Sequence, residues 1–299
     1  MTTMNAFVRA RPVLSYYALT FAISWGGFLL VGAPGLLAGT SWQTDSRFPL
    51  AVLAMLAGPP VSGLLLTALV AGMAGLRELL SRLTRWRAGA RWYALALLTA
   101  PLVQASVLLA LSLLSPRFLP TIFTTDDKAS LLLPGIAVGL AGGLVEEVGW
   151  TGFALPRLLP RHSVLLTGML MGVLWGAWHL LQMLWLGITS PETVPLALFL
   201  AVYFLTSTAA LTAFRVLMVW VCHHTGSLLI AVLMHASYIF STLFVFGPPT
   251  TGVAFLVYSC VFTTALWLVV AAVALANRGR PGPAWRRPDP TKPVTTQRA

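Results

Sequence analysis

Long runs of apolar residues separated by short polar or basic segments dominate the chain. A helix of about 18 or more apolar residues crosses the ~30 Å hydrocarbon core of a bilayer, whereas a membrane-spanning strand alternates apolar and polar positions. The runs here are continuous rather than alternating. They predict an all-α, polytopic transmembrane helical bundle. The eight predicted spans cover roughly 13–38, 50–74, 91–114, 130–155, 163–186, 194–218, 226–246 and 252–276.

Composition supports the membrane assignment. The chain is 58% hydrophobic and only 9% charged, compared with roughly 25% charged residues in soluble domains. The first apolar run is longer than the ~7–15 residues of a signal-peptide core, so we expect it to remain as a span. Cys222 and Cys260 are the two cysteines, and they form neither a disulfide framework nor a metal-binding cluster.

The distribution of basic residues predicts the topology. With the N-terminus inside, the inner segments hold 16 of the 19 basic residues, Arg215 among them, and the outer segments hold Arg47, Arg117 and Lys128. This bias follows the positive-inside rule. We therefore expect a multi-pass protein of the cell membrane with both termini cytoplasmic. The net charge of +11 is then a matter of topology, and nucleic-acid binding is not expected.

The chain divides into one integral membrane domain, residues 1–276, and a proline- and arginine-rich tail, residues 277–299. The composition of the tail is typical of a disordered segment. Between the second and third spans, the basic stretch 77–91 follows Leu76 and continues its helical spacing of leucines. It is either an amphipathic helix at the inner membrane surface or only an orientation signal.

Two adjacent acids, Glu146 and Glu147, interrupt the fourth apolar run, LLLPGIAVGLAGGLVEEVGWTGFALP. A charged side chain near the bilayer centre costs at least ~2.5–3.5 kcal/mol, so such a residue indicates a functional site. His179 and His235 lie within two further spans. Buried polar groups need partners, so the simplest packing brings these four side chains into one cavity. That packing requires the fourth helix to continue past the glutamates to about residue 156.

Two chemistries use these residues. In the first, a glutamate acts as a general base that activates water, and the histidines hold the water or stabilise the oxyanion that forms on a peptide carbonyl. In the second, Zn²⁺ is bound by His179, His235 and a glutamate, with a fourth position open. The HExxH motif of common zinc proteases is absent.

The motifs EEVGWTGFALPRL from Glu146, WGAWH ending at His179 and HASYI from His235 resemble those of the CPBP family. This family of intramembrane proteases is also known as the CAAX protease and bacteriocin-processing, or Abi, family. The resemblance covers roughly residues 50–245. It implies that Glu146 activates water with help from His179, that His235 contributes to the oxyanion hole, and that Glu147 is a supporting acid. It also favours a mechanism without a metal cofactor.

The chain departs from the family pattern at two positions. Thr151 stands where the EExxxR motif has arginine, so we expect Glu147 to be protonated or paired with Arg157 or another basic residue. Ile239 stands where HxxxN has asparagine. Loss of one oxyanion donor costs ~10²–10³ in rate rather than all activity, and Tyr238 or Ser237 is expected to substitute in part.

The sequence therefore predicts a glutamate-dependent endopeptidase with a polar cavity open to the cytoplasm, a peptide or protein substrate, and the lipid bilayer as its surroundings. One alternative is a catalytically impaired relative that binds peptides or partner proteins, as in bacteriocin immunity. A second is a proton-coupled transporter, which predicts inverted repeats and broken helices. The substrate, its prenylation and the oligomeric state stay open at this point.

Overall fold

The computed structural model describes residues 3–188, 194–247 and 251–277 of the 299. Within these ranges all regular structure is helical. The predicted disordered tail falls outside the described residues except for Asn277. The α-helices are α1 Thr3–Ala10, α2 Pro12–Ala38, α3 Arg47–Leu56, α4 Gly58–Leu83, α5 Ala90–Ser112, α6 Thr121–Thr124, α7 Ala129–Gly149, α8 Leu155–Leu158, α9 Val164–Trp178, α10 Leu180–Ile188, α11 Leu196–Thr225, α12 Leu228–Ile239 and α13 Gly252–Ala276.

The predicted membrane bundle is confirmed. In the described part, seven helical stretches are long and apolar enough to cross a membrane, and an eighth span is formed if the bent pair α9 and α10 counts as one. The direction of the helix changes by 47° between α9 and α10. His179 is the residue between them. The predicted fifth span is therefore broken at a candidate site residue.

The fourth span runs past the glutamates, as the proposed cluster requires. A π-helical turn, Trp150–Ala154, joins α7 to α8, and the whole span extends over Ala129–Leu158. The wider π turn shifts the backbone hydrogen-bond register, and such turns are frequent at functional sites. Arg82 of α4 donates hydrogen bonds to the carbonyls of Thr151 and Gly152, both at 3.1 Å.

The first part of the basic stretch 77–91 belongs to the end of α4, which follows a kink in this helix. Gly72 has φ 61° and ψ −155°, which interrupts α4 and redirects the helix after it. On the redirected part, Leu79 is buried and Leu80 is exposed. Arg82 is also buried, because it lies on the inner face of this helix and binds the π turn.

Small residues allow the helices that carry the site to approach closely. A Cβ atom at Gly143 of α7 would lie 2.7 Å from the Val232 carbonyl oxygen of α12. A Cβ at Gly172 of α9 would lie 2.5 Å from the Thr212 Cα of α11. Close contact between backbones is the usual consequence of small residues at membrane helix interfaces. It brings α7 against α12, and α9 against α11.

Candidate active site

Glu146 is held by two indoles through one of its carboxylate oxygens. Trp175 Nε1–H donates to Glu146 Oε2 at 2.8 Å, and Trp150 Nε1–H donates to the same oxygen at 3.3 Å. The other oxygen, Oε1, lies 3.8 Å from His235 Nε2. Glu146 thus has one oxygen fixed by N–H donors, while the other faces a histidine.

Glu147 is fully buried and has a strong partner on each oxygen. Its Oε2 accepts from Arg215 Nη1 at 2.8 Å and from the Thr151 hydroxyl, which lies one helical turn away. Its Oε1 accepts from His235 Nδ1–H at 2.7 Å. A buried carboxylate with a guanidinium partner and further donors is the arrangement in which such a charge persists.

Arg215 of α11 is a residue of the candidate site that the sequence analysis missed. We counted it among the basic residues of an inner segment, but it is only 1% exposed and lies in the polar cluster. Its guanidinium carbon is also 4.2 Å from the centre of the Trp175 ring, which is within range of a cation–π interaction. The available signal was its position inside the predicted span 194–218, where an ionisable residue is itself a site candidate.

Glu147 was expected to be either protonated or paired with Arg157 or another basic residue. The structure shows a pair with another basic residue, Arg215. Arg157 is not the partner, since its Nη1 donates to the Phe153 carbonyl at 2.8 Å and its guanidinium lies over the Phe153 ring. Arg215 instead supplies, from a different helix, the positive charge that the family motif places at position 151.

The hydrogen-bond partners of His179 and His235 define which ring nitrogen carries the proton, because a carbonyl or carboxylate oxygen can only accept. The Trp175 carbonyl lies 2.8 Å from His179 Nδ1, so Nδ1 carries the proton and Nε2 keeps its lone pair in the neutral ring. His235 Nδ1–H is used by Glu147. His235 Nε2 is therefore the nitrogen next to Glu146, and it can donate when the ring carries a second proton.

A cavity of about 310 Å³ joins three of the four predicted site residues. Glu146, His179 and His235 line it, together with Trp175 and Trp178. Glu147 does not line the cavity and has no exposed surface. The prediction that all four side chains share one cavity is thus wrong for Glu147, because Arg215 and Thr151 enclose it behind the cavity wall.

Tyr238 and Ser237, the expected substitutes for the asparagine that Ile239 replaces, differ in whether they line the cavity. Ile239 lines the cavity, so an apolar side chain stands there in place of an amide. Ser237 does not line it, and its hydroxyl donates to the Ala96 carbonyl at 2.8 Å, which makes the expectation for Ser237 wrong. Tyr238 does line the cavity. So does Trp178, whose Nε1–H is buried without a hydrogen-bond partner among the described residues.

The predicted zinc alternative does not fit the arrangement of these donors. In the described ranges, no three His, Cys, Asp or Glu side chains converge in a way that could hold a metal ion. Zinc sites of the catalytic type need three such ligands directed at one point.

The centre of the chain matches a known protein family. Residues 128–241 match the model of the family described as type II CAAX prenyl endopeptidase Rce1-like. No curated protein matches the chain. The matched segment contains Glu146, Glu147, His179, His235 and Arg215. This match over the central segment supports the assignment of the chain to the CPBP family of CAAX-type proteases.

Proposed function

We propose that this protein is an intramembrane endopeptidase in which Glu146 activates the water that hydrolyses a peptide bond. The observation that carries the proposal is the asymmetric environment of Glu146. Two indole N–H groups fix Oε2, which leaves Oε1 as the basic oxygen beside the cavity. A general base must lie within reach of the proton that it removes.

Glu146, His179 and His235 each have a role in the proposed reaction. Water lies between Glu146 Oε1 and the lone pair of His179 Nε2, and its oxygen attacks the carbonyl carbon while its proton passes to Glu146. The carbonyl oxygen becomes an oxyanion that accepts a hydrogen bond from protonated His235 Nε2. The tetrahedral intermediate then collapses. The C–N bond breaks as Glu146 returns the proton to the leaving nitrogen.

Glu147 and Arg215 have a supporting role in this proposal. Glu147 holds His235 by its Nδ1–H and so directs Nε2 towards the cavity. Arg215 balances the charge of Glu147 and packs on Trp175, the residue that holds Glu146. Trp178 lines the cavity, and its buried Nε1–H has no partner in the described part. We propose that this N–H replaces the amide that Ile239 lacks.

A second candidate is a catalytically impaired relative that binds peptides without cleaving them. It is favoured by the apolar Ile239 side chain in the cavity lining, since loss of one oxyanion donor lowers the rate by ~10²–10³. For both candidates, we propose a cell-membrane location with cytoplasmic termini and a cavity that opens to the cytoplasm. The supporting observation is the excess of basic residues in the inner segments.

Cleavage of a peptide library by the purified protein tests these alternatives. The native chain is compared with Glu146→Gln and His179→Ala, each with and without a chelator. Glu78→Gln is a matched control because Glu78 is an exposed glutamate outside the cavity. We expect cleavage by the native chain and by the control, a rate at least ~10²-fold lower in Glu146→Gln, and no effect of the chelator.

The other outcomes separate the rivals. Cleavage that the chelator abolishes restores the metal mechanism. Retention of peptides by the native chain without any cleavage, and gain of cleavage in the Ile239→Asn variant, identifies the impaired relative. Full activity in Glu146→Gln contradicts the proposed role of Glu146.

A further inference from the structure

A second cavity, separate from the candidate active site, lies where four helices end on one face of the bundle. Its volume is about 610 Å³. The first residues of α5 and α9 and the last residues of α11 and α13 form it. Its polar end is marked by Arg91, in the first turn of α5, and by Asn277, directly after α13. None of the proposed catalytic residues lines it.

The polar end of this cavity is basic and includes two buried nitrogen atoms that have no partner among the described residues. Arg91, His223 and His224 line it, and no acidic residue does. Arg91 lies 5.0 Å above the Trp92 ring and forms no ion pair within the described ranges. Trp220 Nε1 and His223 Nδ1 are buried atoms without hydrogen-bond partners in the same ranges. An unpaired buried indole N–H is costly and can only donate, so Trp220 indicates a ligand with acceptor oxygens.

The remainder of the cavity is apolar and extends along the helices. Apart from the polar end, its walls consist of side chains that match a hydrocarbon chain rather than a soluble anion. These side chains are Leu95, Val164, Leu165, Val216, Leu217, Val270, Val273 and Ala274.

We propose that this cavity binds an anionic phospholipid. Its phosphate accepts hydrogen bonds from Arg91, Trp220 Nε1–H and His223, and one acyl chain follows the apolar walls. Basic pockets between transmembrane helices on the cytoplasmic side bind anionic headgroups for the same electrostatic reason. The segment 278–299 of this chain is an unsuitable occupant. It contains six basic residues and one acidic residue, which the basic end of the cavity repels.

The site touches the helix that carries Arg215. Val216 and Leu217, the next two residues of α11, line the lipid cavity, while Arg215 holds Glu147. A bound lipid therefore stabilises the segment of α11 that fixes the candidate active site. We expect anionic lipid to raise the thermal stability of the whole protein.

Native mass spectrometry of the full chain, with phosphatidylglycerol or phosphatidylcholine of identical acyl chains, measures the binding. Thermal unfolding of the same samples in detergent measures stabilisation. The variants are Arg91→Gln and Trp220→Phe. Arg87→Gln is the matched control, since Arg87 is an exposed arginine in the same basic stretch but outside the cavity. Arg117→Gln, which changes an exposed arginine between α5 and α6, is a second control.

We expect a retained lipid and a higher melting temperature with phosphatidylglycerol only. Arg91→Gln is expected to weaken binding about fivefold, the effect of one basic side chain near an anionic lipid, while both controls bind as the native chain does. Trp220→Phe keeps the ring and loses the donor, so it tests the site even if Arg91→Gln folds poorly. Equal binding of phosphatidylcholine, an equal loss in Arg87→Gln, or the same stabilisation by inorganic phosphate alone overturns the proposal.

Discussion

Glu146 and Glu147 are adjacent in the chain but lie in two different regions of the molecule. Glu146 lines an apolar cavity, and neutral indole N–H groups are its hydrogen-bond donors. Glu147 is enclosed in the helix bundle with a guanidinium, a hydroxyl and an imidazole around it. The difference supports separate tasks for the two acids in the proposed function. Glu146 is proposed to meet the substrate, and Glu147 is proposed to organise its neighbours.

The largest expected effect on stability comes from removal of Arg215, the charge partner of the buried Glu147. Arg215→Met leaves Glu147 buried without its cation, and breaking such a pair costs about 3–5 kcal/mol of unfolding free energy. Glu146→Gln is expected to cost far less because it retains the acceptor for both indoles. Unfolding equilibria in detergent measure both values, with Arg87→Met as the exposed control. Equal losses in Arg215→Met and Glu146→Gln contradict the comparison.

A double variant can place the arginine at position 151, where the family motif has it, instead of at position 215. In Arg215→Ala/Thr151→Arg, the new guanidinium lies one helical turn from Glu147, where it can pair with the acid. We expect the double variant to be more stable than Arg215→Ala, with a coupling energy of about 1–3 kcal/mol in a double-mutant cycle. Thr151→Arg alone adds a second buried cation and is expected to destabilise the protein. If the two changes are simply additive, Arg215 does not replace the arginine of the motif.

At the cavity, Trp175→Phe removes the shorter of the two hydrogen bonds to Glu146. The variant keeps an aromatic ring next to Arg215. A hydrogen bond to a charged group contributes about 1.5–3 kcal/mol, so we expect the cleavage rate to fall roughly ten- to a hundredfold. Trp150→Phe is the matched control, because its contact with the same oxygen is longer, 3.3 Å against 2.8 Å. An equal fall in both variants means that the indoles only fill space.

The smallest effect is expected for Thr151→Val. The variant loses one hydroxyl donor to Glu147 but keeps the shape of the side chain and the pair with Arg215. We expect a loss of about 1 kcal/mol in unfolding free energy and almost no change in cleavage rate. A large loss of activity at unchanged stability indicates instead that Thr151 acts on the substrate.

The sequence by itself determined the properties that depend on local composition. Continuous apolar runs predict the membrane helices, because each helix satisfies its own backbone hydrogen bonds within the bilayer. Intramembrane Glu146, Glu147, His179 and His235 were identified because charged and polar groups are rare at that depth. The continuation of the fourth span past the glutamates also followed from the need of these groups to meet.

Only the tertiary structure decided which of these groups meet and which one faces the cavity. Periodicity does not fix the rotation of one helix against another, so the pairing of Glu147 with Arg215 and the enclosure of Glu147 were outside its reach. The contact of Arg82 with the π turn and the bend at His179 depend in the same way on packing between distant segments. Close approach at Gly143 and Gly172 sets those rotations, and it leaves Glu146 as the accessible acid.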